Sequence, residues 1–170
     1  MLKLATATAI VAALLLTPAA ARTPTGPKAA IAKVLTRQLQ GGFSTHSQTA
    51  IYAAIKPADI NHDGVPDWQV DFDAFGSAWC GTGGCRYQLW LGQKNGVPRR
   101  VFDRQMRTVE HEQRGDQIVF VFDFHGSECG GYGSEACPGE FTWNANRGRM
   151  VLLPTPRKHT SQRSPINLDL

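Results

Sequence analysis

Apolar positions fall at helix spacing near the start of the chain and at strand spacing almost everywhere after it. Ile31, Val34, Leu35 and Leu39 recur every three or four residues, which predicts a helix over residues 28–40. Gly41-Gly42 ends it. Ile51, Tyr52, Ala54 and Ile55 predict a second short helix over 47–55, stopped by Pro57. Then the period changes. Trp68, Val70 and Phe72 alternate with Gln69, Asp71 and Asp73, the pattern of a half-buried strand. Tyr87, Leu89 and Leu91 alternate likewise. Val101-Phe102 and residues 106–112 suggest further strands, and 118–124 is apolar on both faces, as a central strand would be. Residues 141–143 pair with 150–153 across a loop at 144–148. The order predicts an α+β domain: an N-terminal helix or helix pair packed on an antiparallel sheet of about five to seven strands.

The first 21 residues stand outside that domain. Lys3 precedes an apolar run over 4–16, Pro18 breaks it, and Ala19-Ala20-Ala21 offers small residues before a cut ahead of Arg22. The order is that of a secretory signal, and the run is short of the ~20 residues of a membrane span. The expected layout is a signal at 1–21, one domain at 22–154 and a disordered basic tail at 155–170. No later segment of the sequence is apolar enough to span a bilayer. The expected location is periplasmic or extracellular. Losing Lys3 lowers the formal charge from +4 to +3. The tail carries Arg157, Lys158 and Arg163 against Asp169, so the body is nearly neutral. No basic stripe interleaved with aromatics is present, which argues against nucleic acid.

Export changes the reading of Cys80, Cys85, Cys129 and Cys137. An even set in an oxidising space is read as disulfides. Pairing Cys80–Cys85 and Cys129–Cys137 would bracket one glycine-rich turn each; Cys80–Cys129 with Cys85–Cys137 is the rival. A four-cysteine zinc site lacks the close pair spacing. The two cysteine segments echo one another. Residues 71–91 and 123–143 both run strand, Gly-Ser, Cys, glycine-rich loop, Cys, strand. They read as two similar hairpins facing each other in one sheet, or as one local solution reached twice.

The most chemical segment is residues 59–67, DINHDGVPD. Oxygen-bearing side chains at Asp59, Asn61, Asp63 and Asp67, with Gly64 at the sharp turn, give the alternation that hard Ca²⁺ favours. Position 12 is Val70 where an EF-hand has Glu. A metal-free turn rich in Asp and Asn is the plainer reading. The segment resembles the DxNxDGxxD loops of FG-GAP and dockerin-like repeats. That resemblance implies side-chain ligation by Asp59, Asn61, Asp63 and Asp67 and carbonyl ligation by Val65, with Ca²⁺ as cofactor. A single copy does not imply a propeller. Residues 59–92, with CGTGGC at 80–85, also resemble small exported bacterial proteins of unassigned function. The resemblance extends to the later DFHGSECG and EACPGEFTW segments. It implies a compartment and a shared fold, and supplies no activity.

Enzymatic alternatives rest on fewer residues. His125 and Ser127, two apart at a strand end, would share a face as base and nucleophile, yet no GxSxG elbow or third group accompanies them. Asp71 and Asp73 on one strand face could pair as in glycoside hydrolysis. Arg114-Gly115-Asp116 spells an integrin-ligand tripeptide, which turn chemistry explains. Of the four Trp residues, Trp79 is expected to be the most exposed. The expectation is a calcium-binding domain with a binding or structural role, its partner an exported protein or a cell-envelope glycan. The alternatives are an exported hydrolase and an inhibitor of another exported enzyme, the latter needing a protruding loop such as 81–84.

Overall fold

Helix α1 spans Pro27–Leu39 and helix α2 Gln48–Ala54 in the computed structural model, which describes residues 25–40, 46–133 and 135–154. The expected signal, the Gly41-Gly42 stop and the basic tail lie outside the described residues. Pro27 opens α1, where its missing N–H costs nothing. Ile31, Ala32, Leu35 and Leu39 form its buried stripe. Ser47 caps α2, its hydroxyl accepting the Ala50 N–H at 3.1 Å. Gln48 Nε2 donates to Thr36 Oγ1 at 3.1 Å and ties the helices together.

Most of the rest is antiparallel strand, interrupted by short 3₁₀ turns. The first sheet holds β1 (Ile55–Ala58), β2 (Asp67–Asp71), β3 (Cys80–Gly81), β4 (Gly84–Leu91) and β5 (Arg99–Met106). β2 and the short β3 share one edge of β4, and β5 takes the other. The second sheet runs β6 (Thr108–Arg114), β7 (Gln117–Phe124), β8 (Cys137–Asn144) and β9 (Arg149–Leu152). Arg107 alone separates β5 from β6, and its N–H donates to Asp123 O at 2.7 Å as the chain changes sheets.

The α+β class and the helix pair on an antiparallel sheet are as the sequence suggested. The number of strands is not: among the described residues nine strands form two stacked sheets. The first sheet lies between the helices and the second sheet. Trp68, Val70, Phe72, Phe75 and Trp90 pack under Ile31, Leu35, Leu39 and Ile51. Tyr87, Leu89, Leu91, Phe102 and Met106 pack against Phe120, Phe122, Phe124, Phe141 and Met150. Strand β4 is therefore buried on both faces. Gln88 on this strand is fully buried and satisfied: Oε1 accepts from Trp90 Nε1 at 3.1 Å, and Nε2 donates to Gln38 at 3.4 Å. Phe102 and Phe122 stack across the sheets at 4.6 Å between ring centroids. Each such fully buried ring contributes about 1.5–3 kcal/mol through burial.

Both disulfides are the favoured pair, Cys80–Cys85 and Cys129–Cys137. The first joins facing residues of β3 and β4. The second ties a 3₁₀ turn over Gly126–Cys129 to the start of β8. The echoing segments do not share a sheet. One runs through β2–β4 and the other through β7–β8, so the same local solution is reached twice on opposite sheets.

Candidate functional site

The acidic loop joins β1 to β2. Gly64 (φ 77°) and His62 (φ 54°) both take the left-handed conformation that makes the turn tight. Each oxygen donor already has work. Asp59 Oδ1 accepts the His62 N–H at 2.9 Å, and Asp59 Oδ2 lies 2.7 Å from His62 Nδ1. Asn61 Oδ1 accepts the Asp63 N–H at 3.2 Å, while Asn61 Nδ2 donates to Asp63 Oδ2 at 2.8 Å. Asp63 Oδ1 accepts the Val65 N–H at 2.8 Å.

Asp67 differs from the others. It is 1% exposed, and its two oxygens accept the N–H groups of Ile60 at 2.9 Å and Gly92 at 2.7 Å. Burial pushes its carboxyl above the usual value of 3.8, with Asp63 and Asp59 pushing the same way and the two N–H bonds pulling back. As a donor set for Ca²⁺ the loop fits in part. Asp59 and Asp63 are exposed and Asn61 is half-buried, all around the Gly64 turn. Asp67 serves the backbone. Asp59, Asp63 and Asp67 do not bring three carboxylate oxygens within 4.8 Å of one another.

The two disulfide loops meet at the far end of β4. Thr82 and Gly83 form the β3–β4 turn, with Thr82 Oγ1 3.4 Å from His125 Nε2. His125 Nδ1 lies 2.7 Å from Ser127 Oγ, so the pair that the sequence singled out is in contact. Gly133 also approaches the ring closely, for an added Cβ there would sit 2.4 Å from Nε2. Glycine is also required at 84 and 126. A Cβ at Gly84 would lie 1.9 Å from Met106 O, and one at Gly126 would lie 1.7 Å from Tyr132 O. Tyr132, beyond the second loop's turn, is 80% exposed.

Asp71 and Asp73 do not share a strand face. β2 stops at Asp71, and Asp73 lies inside the 3₁₀ turn over Phe72–Phe75, with Asp71 Oδ1 accepting its N–H at 2.9 Å. Gly115-Asp116 form the β6–β7 turn, and Arg114, the last residue of β6, reaches across to Glu140 of β8 at 2.6 Å. That pairing holds the Glu140 carboxyl below its usual range.

A site the sequence did not suggest lies beside the first disulfide. A cleft of about 430 Å³ is bounded by Ala78, Trp79 and Cys80 on one side and Arg86, Asp103 and Gln105 on the other. Arg86 grips Asp103 through two bonds of 2.6 and 2.7 Å and lies over the Phe72 ring at 5.3 Å. Arg100 Nη1 meets the same carboxylate at 2.9 Å. Trp79 is half-buried and leans on Phe72. The sequence traces of this cleft are Trp79, expected to be the most exposed tryptophan, and the charged Arg86 inside an apolar strand; its far wall comes from β5, 17 residues on.

The disulfides fit an oxidising location, and among the described residues no helix is long and apolar enough to cross a membrane. Comparison with protein families, with curated proteins and with solved structures finds no match.

Proposed function

We propose that this chain is an exported, non-catalytic binding domain that presents a rigid recognition surface at its disulfide end, with Ca²⁺ as a stabiliser of the acidic loop. The convergence of the two stapled loops carries the reading: Thr82 and Gly83 abut His125, with Tyr132 exposed nearby and the Trp79 cleft on the neighbouring face. An exposed tyrosine and a half-buried tryptophan on a preorganised backbone suit recognition, because little entropy is lost when they dock. The groups with displaced protonation, Asp67, Arg86, Tyr87, Arg114 and Glu140, are explained by burial or ion pairs and come from separate places in both sheets. Catalysis usually gathers such groups in one concavity. The partner chemistry that suits the surface is an exported protein or a cell-envelope glycan.

The test is capture by immobilised, oxidised protein of envelope glycan fragments and of exported proteins. Tyr132→Ala should weaken capture while leaving thermal stability unchanged, and Trp79→Ala should weaken capture with some loss of stability, because Trp79 packs on Phe72; undiminished capture by both would overturn the reading. Ca²⁺ is tested separately by calorimetric titration with an Asp63→Ala control. Heat and a raised melting temperature are expected for the parent alone. No heat and no shift would remove the ion from the proposal.

The His125–Ser127 contact favours a second reading, an exported hydrolase. A fluorophosphonate probe separates the two. Labelling of Ser127 that is lost in His125→Ala would make the protein an enzyme, and an unlabelled Ser127 supports the binding domain.

A further inference from the structure

The Cys80–Cys85 disulfide sits beside a carboxylate that neither the fold nor the proposed function uses. Asp73 Oδ1 is 3.7 Å from Cys85 Sγ and 4.0 Å from Cys80 Sγ, and the Gly76 carbonyl oxygen is 3.8 Å from Cys80 Sγ. Among the described residues, Asp73, Cys80 and Cys85 form the group whose potential metal-ligand atoms gather within 4.8 Å. Bonds of about 2.3 Å to sulfur and 2.0 Å to oxygen around tetrahedral Zn²⁺ put sulfur and oxygen about 3.5 Å apart. The two observed separations are close to that edge. Asp73 is also held in place. Its N–H donates to Asp71 Oδ1 at 2.9 Å and its carbonyl accepts the Gly76 N–H at 3.0 Å. Both sulfurs are carried by one hairpin, on β3 and the start of β4, so the backbone keeps them beside Asp73. After reduction they have only to part from bonding distance to the ~3.8 Å of two thiolates on one tetrahedral ion.

We propose that reduction of Cys80–Cys85 opens a site for a thiophilic divalent cation, Zn²⁺ by preference, held by the two thiolates and the Asp73 carboxylate. In the disulfide the sulfurs are bonded to each other and are not thiolate ligands. A dithiol reductant delivers two electrons and two protons to the S–S bond and is itself oxidised to a disulfide, leaving Cys80 and Cys85 as thiols. The cation then displaces both thiol protons to solvent. The trio lies at the surface, with Asp73 exposed and both cysteines half-buried, so solvent takes the fourth position, as in open zinc sites. The site is shut under oxidising conditions and opens where a reductant reaches it. The second disulfide provides no equivalent: among the described residues no third ligand gathers around it, and with Cys137 fully buried only its Cys129 sulfur is open to attack by a reductant. The geometry differs from a four-cysteine centre, using one cysteine pair and a carboxylate.

The test uses the full mature chain, oxidised or treated with graded amounts of a phosphine reductant, and Co²⁺ as a spectroscopic stand-in for Zn²⁺. Alkylation mapping should find Cys80 and Cys85 freed before Cys129 and Cys137. The reduced protein should then bind one Co²⁺ with a thiolate-to-cobalt charge-transfer band, bleached by Zn²⁺, and the oxidised protein should show none. Asp73→Asn, matched for thiol count, should bind at least about tenfold more weakly, since even residues behind the ligands commonly cost that much. A band equally strong in Asp73→Asn, no band in the reduced parent, or prior reduction of Cys129–Cys137 would each overturn the proposal. So would loss of the far-ultraviolet strand signal on reduction of the first disulfide alone, because the trio depends on the folded hairpin.

Discussion

The carboxylate of Asp67 accepts the Gly92 N–H at 2.7 Å, fastening the start of β2 to the end of β4. Its other oxygen holds Ile60 in the loop before it. One buried side chain thus closes the acidic loop onto the sheet. Asp67→Asn keeps the shape but turns one acceptor into a donor facing an N–H. The expected cost is about 1–3 kcal/mol, read from urea unfolding.

The same carboxyl sets a pH dependence. Its folded pKa is raised above 3.8, so the folded state holds the proton more tightly than the unfolded chain. Stability from this group is present below pH 3.8 and is lost as pH rises through the raised folded value. Asn does not titrate, so the stability advantage of the parent over Asp67→Asn should shrink as pH rises through that window. An advantage that grows with pH would sink this account. Glu140 runs the opposite way, losing stability as pH falls through its lowered value, but its partner Arg114 is exposed and the pair contributes little. The difference between parent and variant cancels it.

Gly84 makes the β3–β4 turn possible, with φ 89° and backbone pressed against Met106 and Arg107. Gly84→Ala should cost at least about 3 kcal/mol, since both the conformation and the contact resist a methyl group. Gly96→Ala is the comparison. Its φ is 77° but nothing lies within 4 Å, so only the conformational cost remains, about 1–2 kcal/mol. Equal losses at the two positions would mean that the close approach to β5 does not matter.

These positions mark what the sequence could and could not say. Ile31, Leu35 and Leu39 announce α1 because one stripe faces one layer. The two disulfides were legible because each brackets its own glycine-rich turn. Strand β1 was hidden, because Pro57 reads as a helix stop and is tolerated there only on a sheet edge. The second sheet was hidden too. A period of two tells which residues share a face, not which sheet they join, and residues 106–112 conceal a change of sheet at Arg107. Asp67 fits the spacing of an ion ligand; its clamping role depends on Gly92, 25 residues away. The Trp79 cleft likewise needs β4 and β5 to be paired before Arg86 meets Asp103.

Phe122 tests whether the sheets form one core. Its ring meets those of Tyr87 and Phe102 from the first sheet and Phe120, Phe124 and Phe141 from its own. Phe122→Ala should cost about 3–5 kcal/mol. Val97→Ala, at a position 63% exposed, should stay within about 0.5 kcal/mol. A Phe122 loss no greater than that control would mean the sheets do not share a core.

The two disulfides should differ in what their loss does. Loop-closure entropy assigns about 2.2 kcal/mol to the six-residue ring of Cys80–Cys85 and about 2.6 kcal/mol to the nine-residue ring of Cys129–Cys137. The entropic gap is small, so packing decides. Cys137 is fully buried among Phe124 and Phe141, whereas Cys80 and Cys85 are half-buried at a surface hairpin. Replacing Cys129 and Cys137 together by Ala should therefore destabilise clearly more than replacing Cys80 and Cys85. Thermal melts of the two double variants, each with its remaining disulfide verified by mass, make the comparison. If the Cys80/Cys85 variant melts lower, the first hairpin carries more of the fold than its burial implies, and the claim that its disulfide can open without unfolding the domain fails with it.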